Sequence, residues 1–340
     1  MQSQLQQERR LVSFDSYDIT IRQLLDMFES KDVYIPPEYQ RHFIWDEKRE
    51  SELIESFFLG IPVPSLFMAT NTDSTWEVVD GVQRLGTLAH FAGSDQSLNR
   101  IDKSKPLVIC GLEKLESLNN FSFKNLPKSI QLMFNTRPIR ITVLNDKSDL
   151  SVRFDLFERL NTGGVSLTEQ EIRNCVFRGQ FNDAIKELSK FEEFNTVVKL
   201  KLSDQKNGTK EEMILRYFAY FDKYEEFDHS VKDFLNDYMK SVSKKSPKQT
   251  QIELFEITFK SLSKALPEGI IRGNRSITPM NLFEAISVGT ALAIKKGKTI
   301  SARTLKRLLN DEELRKMTTG ATNSRKMVTG RINYVRDAFK

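Results

Sequence analysis

The chain has 340 residues, with 51 Lys and Arg against 46 Asp and Glu, a net charge of +5 too small to argue for nucleic acid by itself. At 39% hydrophobic and 29% charged residues it has the apolar content of a folded protein and not of a disordered one. Its longest apolar stretch, 286–294, falls far short of the ~20 residues that span a bilayer, and the polar start MQSQLQQERRLVSF has no secretion signal, so no membrane contact and a cytoplasmic location are expected.

In chain order, Thr20 with Gln23 forms a capping box that opens a helix through Met27 and Phe28, and a short strand over 33–35 runs into Pro36-Pro37. Asp46 caps a second helix that carries Leu53, Ile54, Phe57 and Phe58 on one face and stops at Gly60. Ile61-Pro62-Val63-Pro64 is extended, because a residue before proline is pushed out of the helical region. Strands over 66–69 and 76–79 flank a polar turn and read as a hairpin, a helix carries Leu85, Leu88, Ala89 and Phe91, and further strands are expected over 107–110 and 139–144. Beyond Asp149 the pattern is helical, over 150–160, 168–177, 181–194, 211–221, 230–242, 252–266, 280–294, 302–309 and 324–339. The fold class is therefore α+β, a small mixed-sheet N-terminal part followed by a mainly helical half, rather than an alternating βαβ nucleotide fold.

Cys110 and Cys175 stand apart in apolar surroundings and read as free thiols. His42, His90 and His229 share no ligand spacing, so no metal site is expected from histidine or cysteine.

The segment 76–85, WEVVDGVQRL, passes from strand to helix through Asp80-Gly81, so unpaired N–H groups and the positive end of the helix dipole meet there. Phosphate is the natural guest of such an end. Gly81 permits close backbone approach, Arg84 offers a forked donor, Gln83 can orient a water or a phosphate oxygen, and Asp80 can hold Mg²⁺ or accept a proton. The plainer alternative makes Asp80 an N-cap and Arg84 a surface ion-pair residue. Upstream, Gln40-Arg41 repeats the amide and guanidinium among Tyr39, Phe43 and Trp45, where the alternative is core rings and a solvated Arg41. Downstream, Leu160 to Asn174 reads as helix, Gly163-Gly164 stop and a second helix capped by the box Thr168–Glu171, by spacing alone a helical hairpin.

The four stretches PPEYQRHFIWD (36–46), LIESFFLGIPVPSLF (53–67), WEVVDGVQRLGTLAHF (76–91) and LFERLNTGGVSLTEQEIRN (156–174) together resemble the N-terminal domain of GmrSD-type, modification-dependent restriction systems, in the ParB/sulfiredoxin-like superfamily. The resemblance covers residues 12–181, about half of the chain. It implies a ParB-like α/β nucleotide-binding domain over 12–148, with a helical extension of the same module over 149–240; the helical region over 250–340, after the polar stretch 241–251, is read from pattern and composition alone. The resemblance further implies nucleoside triphosphatase activity with Mg²⁺, in defence against foreign DNA. The family's Asp-Gly-Gln-Gln-Arg signature falls on Asp80, Gly81, Val82, Gln83 and Arg84, with Val82 a departure that weakens hydrolysis more than binding. By the same pattern Asp80, Gln83 and Arg84 would be catalytic, and Gln40, Arg41, Gly81, Asn161 and Arg173 would hold the nucleotide. Larger members carry an HNH-type nuclease domain; with no histidine after His229 that domain is expected to be absent here, leaving any DNA cutting to this domain or to a partner nuclease or other defence protein.

Residues 291–340 hold thirteen Lys or Arg against four Asp or Glu, a net +9 that leaves −4 for residues 1–290. Lys306, Arg307, Arg325 and Lys326 are the candidate DNA-phosphate contacts, on a surface that also includes Lys298, Arg331 and Arg336; the alternatives are a solvated helical face and a docking site for an acidic partner. Two functions remain open from sequence: a nucleotide-hydrolysing defence protein that couples nucleotide to DNA recognition, and a non-catalytic module binding DNA or a partner.

Overall fold

The computed structural model describes residues 13–36, 43, 45–71, 73–145, 150–160, 167–273, 275–320 and 322–340. They fall into two compact units, Met1–Leu167 and Thr168–Lys340. The boundary differs from those expected at 148 and 240–250. Helix Leu150–Leu160 belongs to the first unit, where Arg153 Nη2 donates to the carbonyl of Thr70 at 2.9 Å, and the polar stretch 241–251 lies inside the second.

In the first unit β1 (Phe14–Thr20) passes directly into α1 (Ile21–Ser30) at the Thr20–Gln23 capping box. Next come β2 (Val33–Tyr34), α2 (Glu47–Leu59), β3 (Leu66–Thr70), β4 (Trp76–Asp80), α3 (Val82–Ala92), α4 (Asp95–Arg100), α5 (Lys128–Asn135), β5 (Pro138–Leu144) and α6 (Leu150–Leu160). Asp46 caps α2 by accepting from Arg49 N at 2.8 Å, and Gly60 ends it in the left-handed conformation at φ 71°. The sheet order is β1-β5-β3-β4-β2, with β1/β5 and β3/β4 antiparallel and β5/β3 and β4/β2 parallel. This pairing brings the start of β3, the end of β4, the start of β5 and the end of β1 to one end of the sheet. Ile139, Ile141 and Val143 alternate into the core, where the rings of Phe57, Phe58, Phe91, Phe123 and Phe134 pack edge to face or tilted.

One strand escaped the sequence reading, and one expected strand does not form. β1 has no apolar alternation, because it is an exposed edge strand held by its ladder to β5, from Phe14↔Leu144 to Thr20↔Pro138, and not by burial. The stretch 107–110 is not a strand: it makes one isolated bridge, Val108↔Ser122, although Leu107 and Ile109 are buried. Burial of alternate residues needs no sheet when a folded-back loop supplies the partners, here Phe121 O for Ile109 N and Asn120 N for Ile109 O.

The second unit is helical throughout its described residues: α7 (Glu169–Val176), α8 (Gln180–Leu188), α9 (Glu192–Val197), α10 (Thr209–Lys223), α11 (Val231–Val242), α12 (Gln249–Ala265), α13 (Met280–Lys295), α14 (Ala302–Leu309), α15 (Glu312–Thr318) and α16 (Arg325–Asp337). The single helix expected over 181–194 is instead the pair α8 and α9, separated at Phe191, whose ψ of 125° leaves the helical region. Apolar stretch 286–294 belongs to α13, buried on nearly every face, and α16 crosses so close that a Cβ on Gly289 would meet Val335 at 2.6 Å. Phe194, Tyr217, Phe218, Phe255, Phe259 and Phe283 form the aromatic part of this core. The α+β class, with a five-stranded mixed sheet ahead of a helical half, is as expected.

Candidate phosphate-binding junction

Asp80 ends β4, Gly81 turns the chain and Val82 starts α3. Gly81 is the N-cap, at φ 98°, a conformation that costs a residue with a Cβ; an added Cβ would also meet Leu66 Cδ2 at 2.3 Å. Among the described residues no side chain caps α3, whereas Thr20 and Asp46 cap α1 and α2. The helix's first internal bond runs from Leu85 N to Gly81 O, so the preceding N–H groups face outward along the dipole.

Asp80 is thus not the N-cap. Its Oδ2 accepts from Arg84 Nη2 at 2.6 Å, while Arg84 Nη1 donates to the carbonyls of Pro64 at 2.5 Å and Ser65 at 2.9 Å. The arginine is a brace, joining the first turn of α3 to the proline-stiffened entry of β3. Gln83 Oε1 accepts from Trp45 N at 3.2 Å, anchoring the chain just before α2. Val82 is buried, so where the family signature has an amide this chain places a core side chain.

Of the aromatic group upstream, Phe43 lies over α3, where a Cβ on Gly86 would meet its ring at 2.3 Å, and it stands edge-on to His90 at 6.5 Å between centroids. Trp45 lies under the guanidinium of Arg49 at 4.6 Å. Both rings are packing elements. Gly86 was not singled out in the sequence, yet a glycine inside an apolar helical pattern costs about 1 kcal/mol against alanine and marks a close approach. Gln40, Arg41 and Asn161 lie outside the described residues.

Arg173 belongs to the second unit. Its side chain has no exposed surface; it pairs with Glu169 at 2.9 Å and Glu212 at 3.4 Å and donates to Asn236 at 2.8 Å and Gln170 at 3.3 Å. Burial lowers its pKa from the ordinary arginine value, opposed by the two glutamates. The pairing continues inward: Glu212 to Arg216 at 2.6 Å, Arg216 to Glu284 at 2.6 Å, and Glu284 to the fully buried Arg331. Burial raises Glu212, but Arg216 and Arg173 together hold it below the usual carboxylate value, and the glutamates hold Arg216 above the usual arginine value against burial. Six charges of alternating sign run through this core, a feature that spacing along α7, α10, α13 and α16 does not reveal.

Lys306, Arg307, Arg325 and Lys326 are exposed, with Arg325 Nη2 also donating to the carbonyl of Glu225 at 2.6 Å. Other cations of the expected basic surface are consumed internally. Arg331 is buried against Glu284, Lys298 Nζ donates to the carbonyl of Phe339 at 2.8 Å, and Arg336 pairs with Asp337 at 2.8 Å. Leu305, Leu308, Val328 and Ile332 bury the inner faces of α14 and α16, so the basic stretch is part of the fold.

Residues 21–178 match the family model described as GmrSD restriction endonuclease, N-terminal domain. That segment is similar to a GmrSD-type N-terminal domain. It contains the Asp80–Arg84 junction and extends to the end of α7. No curated protein matches the chain. Among solved structures, one of those similar is the C2221 form of a Pnob8-like ParB-N domain, 13% identical, covering 96% of each chain at a TM-score of 0.23. Among the described residues no helix is long and apolar enough to cross a membrane, and no group of three or more His, Cys, Asp or Glu side chains comes together in a metal-binding arrangement.

Proposed function

We propose that this chain is a component of a restriction-like defence system whose GmrSD-type domain binds a nucleotide by its phosphates at the Asp80–Arg84 junction and couples that state to DNA recognition. The observation that carries the reading is the left-handed Gly81, which opens α3 with no side-chain cap among the described residues and with the Arg84 guanidinium beside it. A phosphate group would accept from the outward N–H groups of this helix end and compete with Asp80 for Arg84. Asp80, when Arg84 turns to phosphate, is the carboxylate that would hold the Mg²⁺ of a nucleoside triphosphate, an ion commonly bound through one or two carboxylates and the phosphates themselves. Gln83 would orient water only after leaving Trp45 N.

A second reading, a binding module that does not hydrolyse, is favoured by Val82, which is buried where the family signature places a hydrogen-bonding amide. Calorimetric titration with a panel of nucleoside triphosphates tests binding, and phosphate release with and without DNA separates the two readings. Arg84→Ala is expected to weaken nucleotide binding by roughly 1.5–3 kcal/mol, the range for a charge-assisted hydrogen bond. Equal affinity in a folded Arg84→Ala variant and the parent removes the junction from the site.

A further inference from the structure

A cleft of roughly 530 Å³ lies in the first unit between the end of α2 and the start of β5, bounded by the segment 60–65, by Phe57 and Asp18, and by residues 137–140. Pro62, Pro64 and Pro138 stiffen its walls, which also carry the guanidinium groups of Arg137 and Arg140 and the carboxylate of Asp18.

The two arginines differ in what balances them. Arg140, on β5, makes a two-pronged pair with Asp18 on β1, Nε to Oδ1 at 2.9 Å and Nη2 to Oδ2 at 2.8 Å, with both side chains more than half exposed. Such a surface pair is worth little and exchanges readily. Arg137 has no carboxylate partner among the described residues. Its Nη2 donates to the carbonyl of Phe58 at 2.9 Å, at the C-terminal end of α2, while its Nε is buried with no hydrogen-bond partner. A shielded donor on a cation is costly to leave unmet, and one positive charge on the wall is left without a counter-charge.

We propose that this cleft is a second anion site, which shares the segment Pro64–Ser65 with the brace of Arg84, and that it takes the phosphate group of a small phosphate monoester whose apolar or planar body lies against Pro62, Pro64 and Ile139. Arg137 neutralises one charge of the dianion. Arg140, which lines the same cleft, supplies the second by exchanging Asp18 for phosphate. A carboxylate carries one charge and needs only Arg137, so a dianion is preferred. Arg137 serves α2 at the same time, because Nη2 caps Phe58 O while Nη1 stays available to an anion. None of this depends on whether the junction binds nucleotide.

Calorimetric titration of the full chain with phenyl phosphate, and with benzoate for comparison, tests the proposal. Phenyl phosphate is expected to bind at least about tenfold more tightly than benzoate, and Arg140→Gln to weaken it about tenfold, the change for loss of one charge-assisted contact. Arg137→Gln is expected to weaken it further; should that variant lose its circular-dichroism signature because α2 is uncapped, Arg140→Gln, at an exposed position, decides the matter. The proposal is overturned if the parent binds no phenyl phosphate at millimolar concentration, or if Arg140→Gln binds as the parent does.

Discussion

Arg84 and Arg173 both lie near the start of a helix, and both read from sequence as cations for a phosphate. Their surroundings are opposite. At Arg84 the helix begins on a left-handed glycine with no side-chain cap, and the guanidinium is shared between one carboxylate and two carbonyls. At Arg173 the helix is closed by the reciprocal Thr168–Glu171 box, and two glutamates, an asparagine and a glutamine surround a guanidinium with no exposed surface. A cation near a helix start is therefore a ligand candidate only where the helix end is open. Where a serine, threonine or aspartate oxygen closes the end and buried carboxylates take the cation, the same residue types build a core.

The comparison is most sharply tested in the buried ladder. Glu284→Ala leaves Arg331 and part of Arg216 without counter-charge in the interior and is expected to cost about 3–5 kcal/mol in denaturant unfolding of the chain. A loss below about 1 kcal/mol would mean that the ladder is relieved by water. Arg173→Met should cost about 3 kcal/mol, at the low end of that range because Glu212 keeps Arg216, and should leave nucleotide affinity unchanged. A folded Arg173→Met variant that no longer binds nucleotide breaks the contrast with Arg84.

A smaller effect is expected in acid. Glu212 is held below its ordinary value in the folded chain, so as pH falls from the usual glutamate range near ~4.3 the unfolded state takes up the proton first. Stability from this group is complete above that range and is lost as pH falls through the folded value. The thermal midpoint of the parent should thus decline more steeply below about pH 4.3 than that of Glu212→Gln, and parallel curves would show that Glu212 titrates as an ordinary carboxylate.

Least effect on stability belongs to the exposed cations. Replacing Lys306, Arg307, Arg325 and Lys326 together by Ala should change unfolding free energy by only about 0.5 kcal/mol per site or less. If these residues hold DNA phosphates, affinity for all sequences falls alike, and the slope of log affinity against log salt flattens by about 0.9 for each contact removed. An unchanged slope makes them a solvated face.

Local features were legible in the residues themselves. The Thr20–Gln23 and Thr168–Glu171 boxes, the Asp46 cap, the Gly60 stop and the β3–β4 hairpin all depend on groups a few positions apart, whose meeting is set by backbone geometry alone. The Asp80-Gly81 turn into a helix was visible for the same reason. Hidden from the sequence were the exposed edge strand β1, whose stability comes from hydrogen bonds to β5 rather than from an apolar pattern, and the Pro64 and Ser65 carbonyls that receive Arg84 from about twenty positions away. Phe43 over Gly86, and Glu284 between Arg216 and Arg331, were equally beyond it. A charged residue reads the same in sequence whether water or another helix surrounds it. Chain packing alone decides which carboxylate reaches which arginine, so the caps and the helical half belong to the sequence, while the braced Arg84, the internal salt-bridge ladder and the uncompensated Arg137 belong to the tertiary fold.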